Sequence, residues 1–398
     1  MSDLRAAKLA DREHARRNRV AIVCDLREEN WHSMNLVAEM LLKDLSADYS
    51  EEFTPTRVCP PMQRIFARDG VDSGLLFNAD RLFNRFWTYP RHVVRLRQDF
   101  DLFHVVDHSY AQLVHQLPAE RTIITCHDLD TFRCLLNPDG ETRSWPYRMM
   151  TKRVLEGFMK AARVTCDSFS TRDELLSHGL LPPESVEVIY NGVSPNYSPL
   201  ADPTADTEAE RLLGSLAPDN CDILHVGSTI PRKRIDVLLR VFAELHREFP
   251  AARLVRVGGR FVGSQLRLIQ DLYLKDSIIV MPFLDKRILA AVYRRAALLL
   301  QTSEREGFGL PVIEAMACGL PVLASDLPVL REVGGRATDY CAVGDVVAWT
   351  EAATRMLKER QEDQGGWATR QEESIAHASL FSWAEYTRKM VAIYRQLL

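Results

Sequence analysis

The sequence predicts an α/β protein of two halves, each built on a doubly wound parallel sheet. Three observations carry this. The chain has 398 residues, and single cores stop growing near ~250–300 residues, so two domains of about 180–200 residues are expected. Short apolar runs alternate with longer amphipathic segments along the whole length, as in repeated strand–helix units. Most of the apolar runs are continuous rather than alternating, which marks strands covered by helices on both faces.

The first series of predicted strands covers residues 20–26, 102–106, 122–126, 164–167 and 186–190. The second covers 223–226, 253–257, 278–281, 298–301 and 321–324. Helical patterns lie between them, as at 236–249 and 289–297. Between the two series, Asn191-Gly192 is a turn signal, and Pro195, Pro199, Pro203 and Pro218 follow in polar sequence. This predicts a linker near 191–200 and a first helix at 204–216. The expected domains are therefore 1–195 and 196–380, followed by an amphipathic helix at 381–398.

Composition excludes several classes. Hydrophobic residues make up 46% and charged residues 26%, ordinary globular values that exclude a disordered chain. The net charge of −4 lacks the positive field of a general nucleic-acid binder. No run of ~18 uncharged apolar residues predicts a transmembrane helix. Residues 1–19 are charged throughout and read as no secretory signal. The eight cysteines (24, 59, 126, 134, 166, 221, 318, 341) are scattered without a C-x-x-C pair. Free buried thiols, a reducing cytoplasmic setting and no metal site are expected.

The most informative block is 306–325, EGFGLPVIEAMACGLPVLAS. It reads as a loop over 302–309, a short helix opened by Pro311 and stopped by Gly319 and Pro321, and a strand. A glycine-containing loop entering a helix N-terminus makes an anion site suited to phosphate. Glu306 and Glu314 bracket it. Carboxylates there are suited to accept hydrogen bonds from sugar hydroxyls. Alternatively, Glu314 complements the helix dipole and Glu306 is a solvated loop charge. A second element is HVGSTIPRKRID at 225–236, with Arg232, Lys233 and Arg234 after a strand. It is either a cation cluster for a diphosphate leaving group or a solvated basic turn. Gly258 and Gly259 close the next strand, either for close approach to a ligand or as turn glycines. Residues 281–286, after a further strand, are placed for their backbone to read a base.

In the first half, His127-Asp128 ends the strand at 122–126, and Asp107, His108, Ser109 and Tyr110 follow the strand at 102–106. Each set is either ligand-lining or structural. Residues 53–98 hold eight Arg and three Asp. Cations interleave with aromatics at 81–87 and 91–97. This segment reads as a surface for an anionic membrane, as a groove for an acidic glycan, or as a helix with a solvated basic face.

The 306–325 block, with Glu306 and Glu314 in E-x7-E spacing, resembles the retaining glycosyltransferases of family 4. The resemblance implies GT-B architecture, with two Rossmann-like domains facing across a cleft and the last helix crossing back to the first domain. It implies transfer of a sugar from a nucleotide-diphosphate-sugar donor to a glycan or lipid-linked acceptor, with retention, in surface polysaccharide or glycoconjugate synthesis. The donor phosphate would take the acceptor proton, with no cofactor and no metal. By the same resemblance Glu306, Lys233, Arg232 and His127 (within ITCHD, similar to a T-x-H-D element) serve the reaction. Glu314 holds the ribose. Gly227, Ser228, Gly258 and the amides of Phe308, Gly309 and Leu310 bind the donor. Asp107, His108, Tyr110 and Asp128 fall on the acceptor side. Two departures stand out. Ser228 follows Gly227 where many relatives place an arginine, and residues 25–33 lack a Gly-Gly turn, so either a different loop shape serves or side chains such as Asn30 and Ser33 shape the donor end. These departures leave two other readings open: a nucleotide-sugar sensor or scaffold of the same fold, and a nucleotide-sugar epimerase.

Overall fold

The computed structural model describes residues 17–29, 32–68, 70, 74–214 and 221–398. The charged start of the chain, Asn30, residues 215–216 of the expected first linker helix, Pro218 and the Ser33 side chain lie outside what is described. The chain forms two compact units. One comprises Met1–Tyr190 with Trp383–Leu398, and the other Asn191–Ser382.

The first unit is built on a six-stranded sheet whose neighbouring strands all pair in parallel. Its strands are β1 (Asn18–Val23), β2 (Phe53–Val58), β3 (Leu102–Val105), β4 (Thr122–Cys126), β5 (Arg163–Cys166) and β6 (Val186–Val188), in the order β2-β1-β3-β4-β5-β6. The central strands β3 and β4 are buried at every position, which is why they read as unbroken apolar runs. β2 was not expected. Its Thr54-Pro55-Thr56-Arg57 alternates in exposure, and a proline that cannot donate to a ladder is tolerated because β2 is an edge strand. The helix Trp383–Leu397 belongs to this unit. Its Tyr394 hydroxyl lies 2.8 Å from His104 Nδ1, while His104 Nε2 meets Thr125 Oγ1 at 2.8 Å. Tyr394 also packs edge-on against Phe53, and Arg395 pairs with Glu52.

The second unit repeats the plan. Its strands are β7 (Cys221–Val226), β8 (Ala252–Val257), β9 (Ile278–Met281), β10 (Leu298–Gln301), β11 (Val322–Ser325) and β12 (Thr338–Cys341), in the order β12-β11-β10-β7-β8-β9. β12 (TDYC) was also missed, being an edge strand with only its ends buried. The helices Ile235–Glu248 and Val346–Glu362 supply Leu238, Phe242, Trp349 and Met356 to a core completed by Ile223, Leu254 and Leu300.

In each sheet the chain starts centrally and winds outward in both directions. The winding reverses between β1 and β3 in the first unit and between β7 and β10 in the second. Such reversals open a crevice at the carboxyl ends of the strands, where ligands bind in open α/β sheets. All eight cysteines are free, and seven of them are buried. Among the described residues no helix is long and apolar enough to cross a membrane.

One close contact in the first unit is diagnostic. Gly157 lies near the end of the helix Trp145–Phe158, and a β-carbon there would collide with the Ala111 carbonyl. Alanine favours helix by about 1 kcal/mol over glycine, but backbone overpacking costs about 1–3 kcal/mol. Gly157→Ala should therefore lower stability to urea denaturation despite its better helix propensity.

Candidate functional site

The second unit brings together the residues that follow β7 and β10. After β7, Gly227 donates its N–H to the Val257 carbonyl (2.9 Å) with φ 151°. Gly258, at φ 114°, closes β8 the same way against Met281 (3.2 Å). A β-carbon on Gly258 would lie 2.5 Å from the Gly227 carbonyl oxygen. The close approach that Gly258 permits is thus to the neighbouring main chain.

The segment then makes a single turn over Pro231–Lys233, and Arg234 takes a left-handed conformation (φ 48°) before the helix Ile235–Glu248. That conformation costs about 1–2 kcal/mol for a residue with a β-carbon. Asp236 offsets it by gripping the Arg234 guanidinium through two bonds, at 3.0 and 2.9 Å. The loop after β10 meets this turn. The Glu304 N–H donates to the Arg232 carbonyl (2.8 Å), and the Thr302 hydroxyl donates to the Lys233 carbonyl (3.0 Å).

Lys233 Nζ sits 2.5 Å from Glu306 Oε1, and both side chains are nearly inaccessible. Arg232 approaches the other Glu306 oxygen at 3.7 Å. Gln301 Nε2 (2.6 Å) and Ser303 Oγ (2.7 Å) also donate to Glu306. Burial alone would raise the Glu306 carboxyl. The Lys233 and Arg232 charges, with the hydrogen bonds from Lys233 and Ser303, outweigh it and hold it down at about 2.

The helix expected after this loop is Leu310–Ala317, with Gly309 at φ 99° before it and Pro311 in its first turn. By helix geometry the amides of Gly309 and Leu310 have no intrahelical acceptor. The Phe308 ring is buried edge-on against Phe381, so only its main chain is placed to meet a ligand. Glu314 is buried, and Tyr293 donates to it at 3.0 Å. Burial pushes its carboxyl up to about 7, with the hydroxyls of Tyr293 and Tyr197 acting in the opposite direction.

The carboxyl edge of the first unit carries a second polar cluster, with Asp25, Asp107, His127 and Asp167 just beyond β1, β3, β4 and β5. His127 is held at both ring nitrogens. Nδ1 lies 2.5 Å from Asp167 and Nε2 2.7 Å from the Val106 carbonyl. Burial works against charging this ring, but the Asp167 carboxylate outweighs it and raises His127 to about 10. His127 is thus an imidazolium whose N–H groups are spent inside its own unit. Asp107 caps the turn over His108–Gln116, accepting from the Ser109 N–H (2.8 Å) and hydroxyl (2.5 Å). The buried His108 ring lies between Asp107 (3.4 Å) and the partly exposed Asp128 (3.8 Å).

Residues 214–370 match the family model "Glycosyl transferases group 1", and residues 47–197 match "Glycosyltransferase Family 4". The chain is 28% identical over 285 residues to D-inositol 3-phosphate glycosyltransferase of Mycobacterium marinum, a match that covers 69% of this chain and 58% of that relative. Among solved structures it superposes on Thermosynechococcus elongatus sucrose-phosphate synthase with TM-score 0.74 and 21% identity, over 96% of this chain and 99% of that one. It also superposes on Anabaena HepE, solved with UDP and glucose, with TM-score 0.70 and 18% identity, over 95% and 100%. The chain has the GT-B fold of these structures, and a glycosyltransferase family model matches each of its halves.

Within that GT-B frame some expectations need correction. Tyr110 does not line an open surface. It is fully buried, accepts the Leu26 N–H at its hydroxyl (3.2 Å), and has the Arg85 guanidinium over its ring at 4.3 Å. In the glycine-free loop, Asn30 and the Ser33 side chain lie outside the described residues, and other side chains make its contacts. Glu28 accepts the Met62 N–H (3.3 Å), and Glu29 pairs with Arg81 (3.1 Å) and Arg85 (3.9 Å). Sequence reading also passed over Asp25, Asp167, Tyr197, Tyr293 and Gln301. Asp25 and Asp167 carried a readable signal, since each ends an apolar strand run as His127 does. Asp25 is buried, and burial and the adjacent Asp107 push it well above the usual carboxylate range.

Lys233→Ala and Glu306→Ala each strand a buried charge. We expect each single variant to lose about 3–5 kcal/mol of stability in urea, and the paired Lys233→Met/Glu306→Leu variant to lose clearly less than their sum.

Proposed function

We propose that this GT-B chain is a retaining glycosyltransferase that uses a nucleoside-diphosphate-sugar donor. The observation that carries this is the placement of Lys233, Arg232 and Glu306 at the switch point of the second unit's sheet, beside a helix N-terminus at Gly309 and Leu310. Two cations against one carboxylate leave one net positive charge there, which suits a dianionic leaving group. The amides of Gly309 and Leu310 add donors for the phosphate oxygens. Glu314 accepts from the ribose hydroxyls, and Glu306 orients the donor sugar. HepE, a protein of this fold, was solved with UDP and glucose, which supports a nucleotide-sugar donor.

In the reaction the bond between the anomeric carbon and the diphosphate oxygen breaks, and its electron pair leaves with the diphosphate. The acceptor oxygen bonds the anomeric carbon from the same face. Its proton passes to the departing phosphate oxygen, so no protein base is required. Lys233 and Arg232 hold the charge that develops on the leaving group. Asp107, His108 and Asp128 are proposed to meet the acceptor, a glycan or a lipid-linked glycan of surface polysaccharide synthesis. The imidazolium of His127 contributes charge rather than a free N–H. Incubation with UDP-, GDP- and ADP-sugars tests the reading. Slow release of nucleoside diphosphate is expected with one of them, and Glu306→Gln should reduce it at least about a hundredfold. An altered sugar with no release would mean an epimerase instead, and binding with no turnover a sensor.

Glu314 makes the reaction pH-dependent. Its raised carboxyl must ionise to accept fully from a ribose diol. The KM for a nucleotide-sugar, which has no group titrating near neutrality, should therefore fall about tenfold between pH 6 and 8 as Glu314 ionises around 7. In Glu314→Gln the KM should be flat over that range.

We further propose peripheral contact with an anionic membrane through residues 81–97. Leu82, Trp87 and Val94 are exposed, and the Arg91 guanidinium lies 3.3 Å from the centre of the Trp87 ring. Aromatic–arginine pairs of this kind suit the interfacial layer of an anionic bilayer. Co-sedimentation with phosphatidylserine vesicles should be strong at low salt and lost in Trp87→Ala/Arg91→Ala. Equal sedimentation with neutral vesicles would refute it.

A further inference from the structure

Beneath the glycine turns of the second unit lies a charged side chain that the proposed chemistry does not use. Arg256, on β8, has no exposed surface. Its guanidinium donates to the Gly227 carbonyl (2.8 Å) and to the Gly259 carbonyl, and it lies 5.1 Å from the centre of the Phe261 ring. No carboxylate among the described residues offsets its charge, and burial alone brings its pKa down to about 10, so it stays ionised at neutral pH. An isolated buried cation is costly, so its presence calls for an explanation. On the neighbouring strand β7, in register with it, His225 is buried with neither ring nitrogen hydrogen-bonded. Burial and the Arg256 and Lys233 charges hold His225 at about 3, so it is neutral and leaves the Arg256 charge undiluted.

The two carbonyls it holds belong to the turns that end β7 and β8. In a trans peptide the C=O and the following N–H point in opposite directions. With the Gly227 and Gly259 carbonyls drawn toward the buried guanidinium, the N–H groups of Ser228 and Arg260 are aimed away from it. Gly227, Gly258 and Gly259 all take positive φ, which glycine adopts without the strain a β-carbon would add. These turns flank the site proposed for the diphosphate.

We infer that Arg256 is a positioning residue for anion binding: its fork locks the Gly227 and Gly259 turns so that the Ser228 and Arg260 amides face a diphosphate, and its unneutralised charge lies behind them. The inference rests on the nucleotide-sugar reading above. It also accounts for Ser228 in place of a side-chain cation after Gly227, because the positive charge comes from beneath the turn. Arginine suits both tasks. Its planar fork can hold two carbonyls at once, which the point charge of a lysine cannot.

The test compares affinities for the nucleoside diphosphate and for its uncharged nucleoside by titration calorimetry, using whichever of UDP, GDP or ADP the wild type binds. Arg256→Gln retains a donor for one carbonyl but removes the charge. It should weaken nucleoside diphosphate binding by about tenfold or more, while nucleoside affinity changes by less than about threefold, because a charge several ångströms away acts on the phosphates. Arg256→Lys keeps the charge and loses the fork, and should recover only part of the preference for diphosphate over nucleoside. A merely structural role would weaken both ligands alike in both variants, and that result would overturn the inference. So would unchanged diphosphate affinity in Arg256→Gln. If the wild type binds none of the three diphosphates, the donor reading itself fails and takes this inference with it.

Discussion

The Lys233–Glu306 ion pair joins the two loops that leave the central strands of the second unit's sheet, and the rest of the candidate site is arranged around it. Those loops leave β7 and β10, the strands at which the winding reverses. Without the pair, the left-handed Arg234, the Thr302 hydroxyl and the Glu304 amide would be holding two loops with opposed buried charges and nothing between them. With the pair formed, Lys233 is already stripped of water and fixed in place. A bound anion then meets a preorganised cation rather than a mobile one, which is where most electrostatic stabilisation of a leaving group originates. Glu306 is in turn kept ionised by the cations it orients, so neither member can be understood alone.

The first unit uses the same sheet edge differently. Four polar residues end four strands there, yet most of their hydrogen bonds turn inward. His127 is gripped by Asp167 and Val106, and Asp107 is occupied with the following turn. Asp25, raised above the usual carboxylate range by burial and by Asp107, is the exception. The second unit presents cations and amides, whereas the first presents carboxylates and an imidazolium already paired. Such an edge suits hydroxyl groups better than phosphates, because a second anion would have to displace existing carboxylate contacts.

The sequence made the architecture legible wherever burial was complete on both faces. Strands such as β4 and β10 were placed to the residue, since an unbroken apolar run has little other reading. β2 and β12 escaped because an edge strand buries alternate positions and so loses that signal. Glu306 and Glu314 stood out as candidates because they sit in a distinctive block, and Lys233 because it lies in a basic turn after a strand. Tyr110 was misjudged because position after a strand does not say which way a ring turns, and here it turns into the core. Arg256 gave no signal at all. An arginine within LVRVGG looks like a surface residue of an ordinary strand until the glycine carbonyls on either side of it are seen.

The helix Trp383–Leu397 packs on the sheet that begins near Asn18, with the whole of Asn191–Ser382 intervening. During synthesis, the first unit's sheet is complete once Val188 has emerged, yet His104 and Phe53 wait for Tyr394 until the second unit has been made. The second unit is continuous in sequence and needs no such late arrival. The order of completion along the growing chain therefore reverses the order of the sequence, and the nascent first unit passes through a stage with an uncovered apolar face, when its exposure to aggregation is greatest.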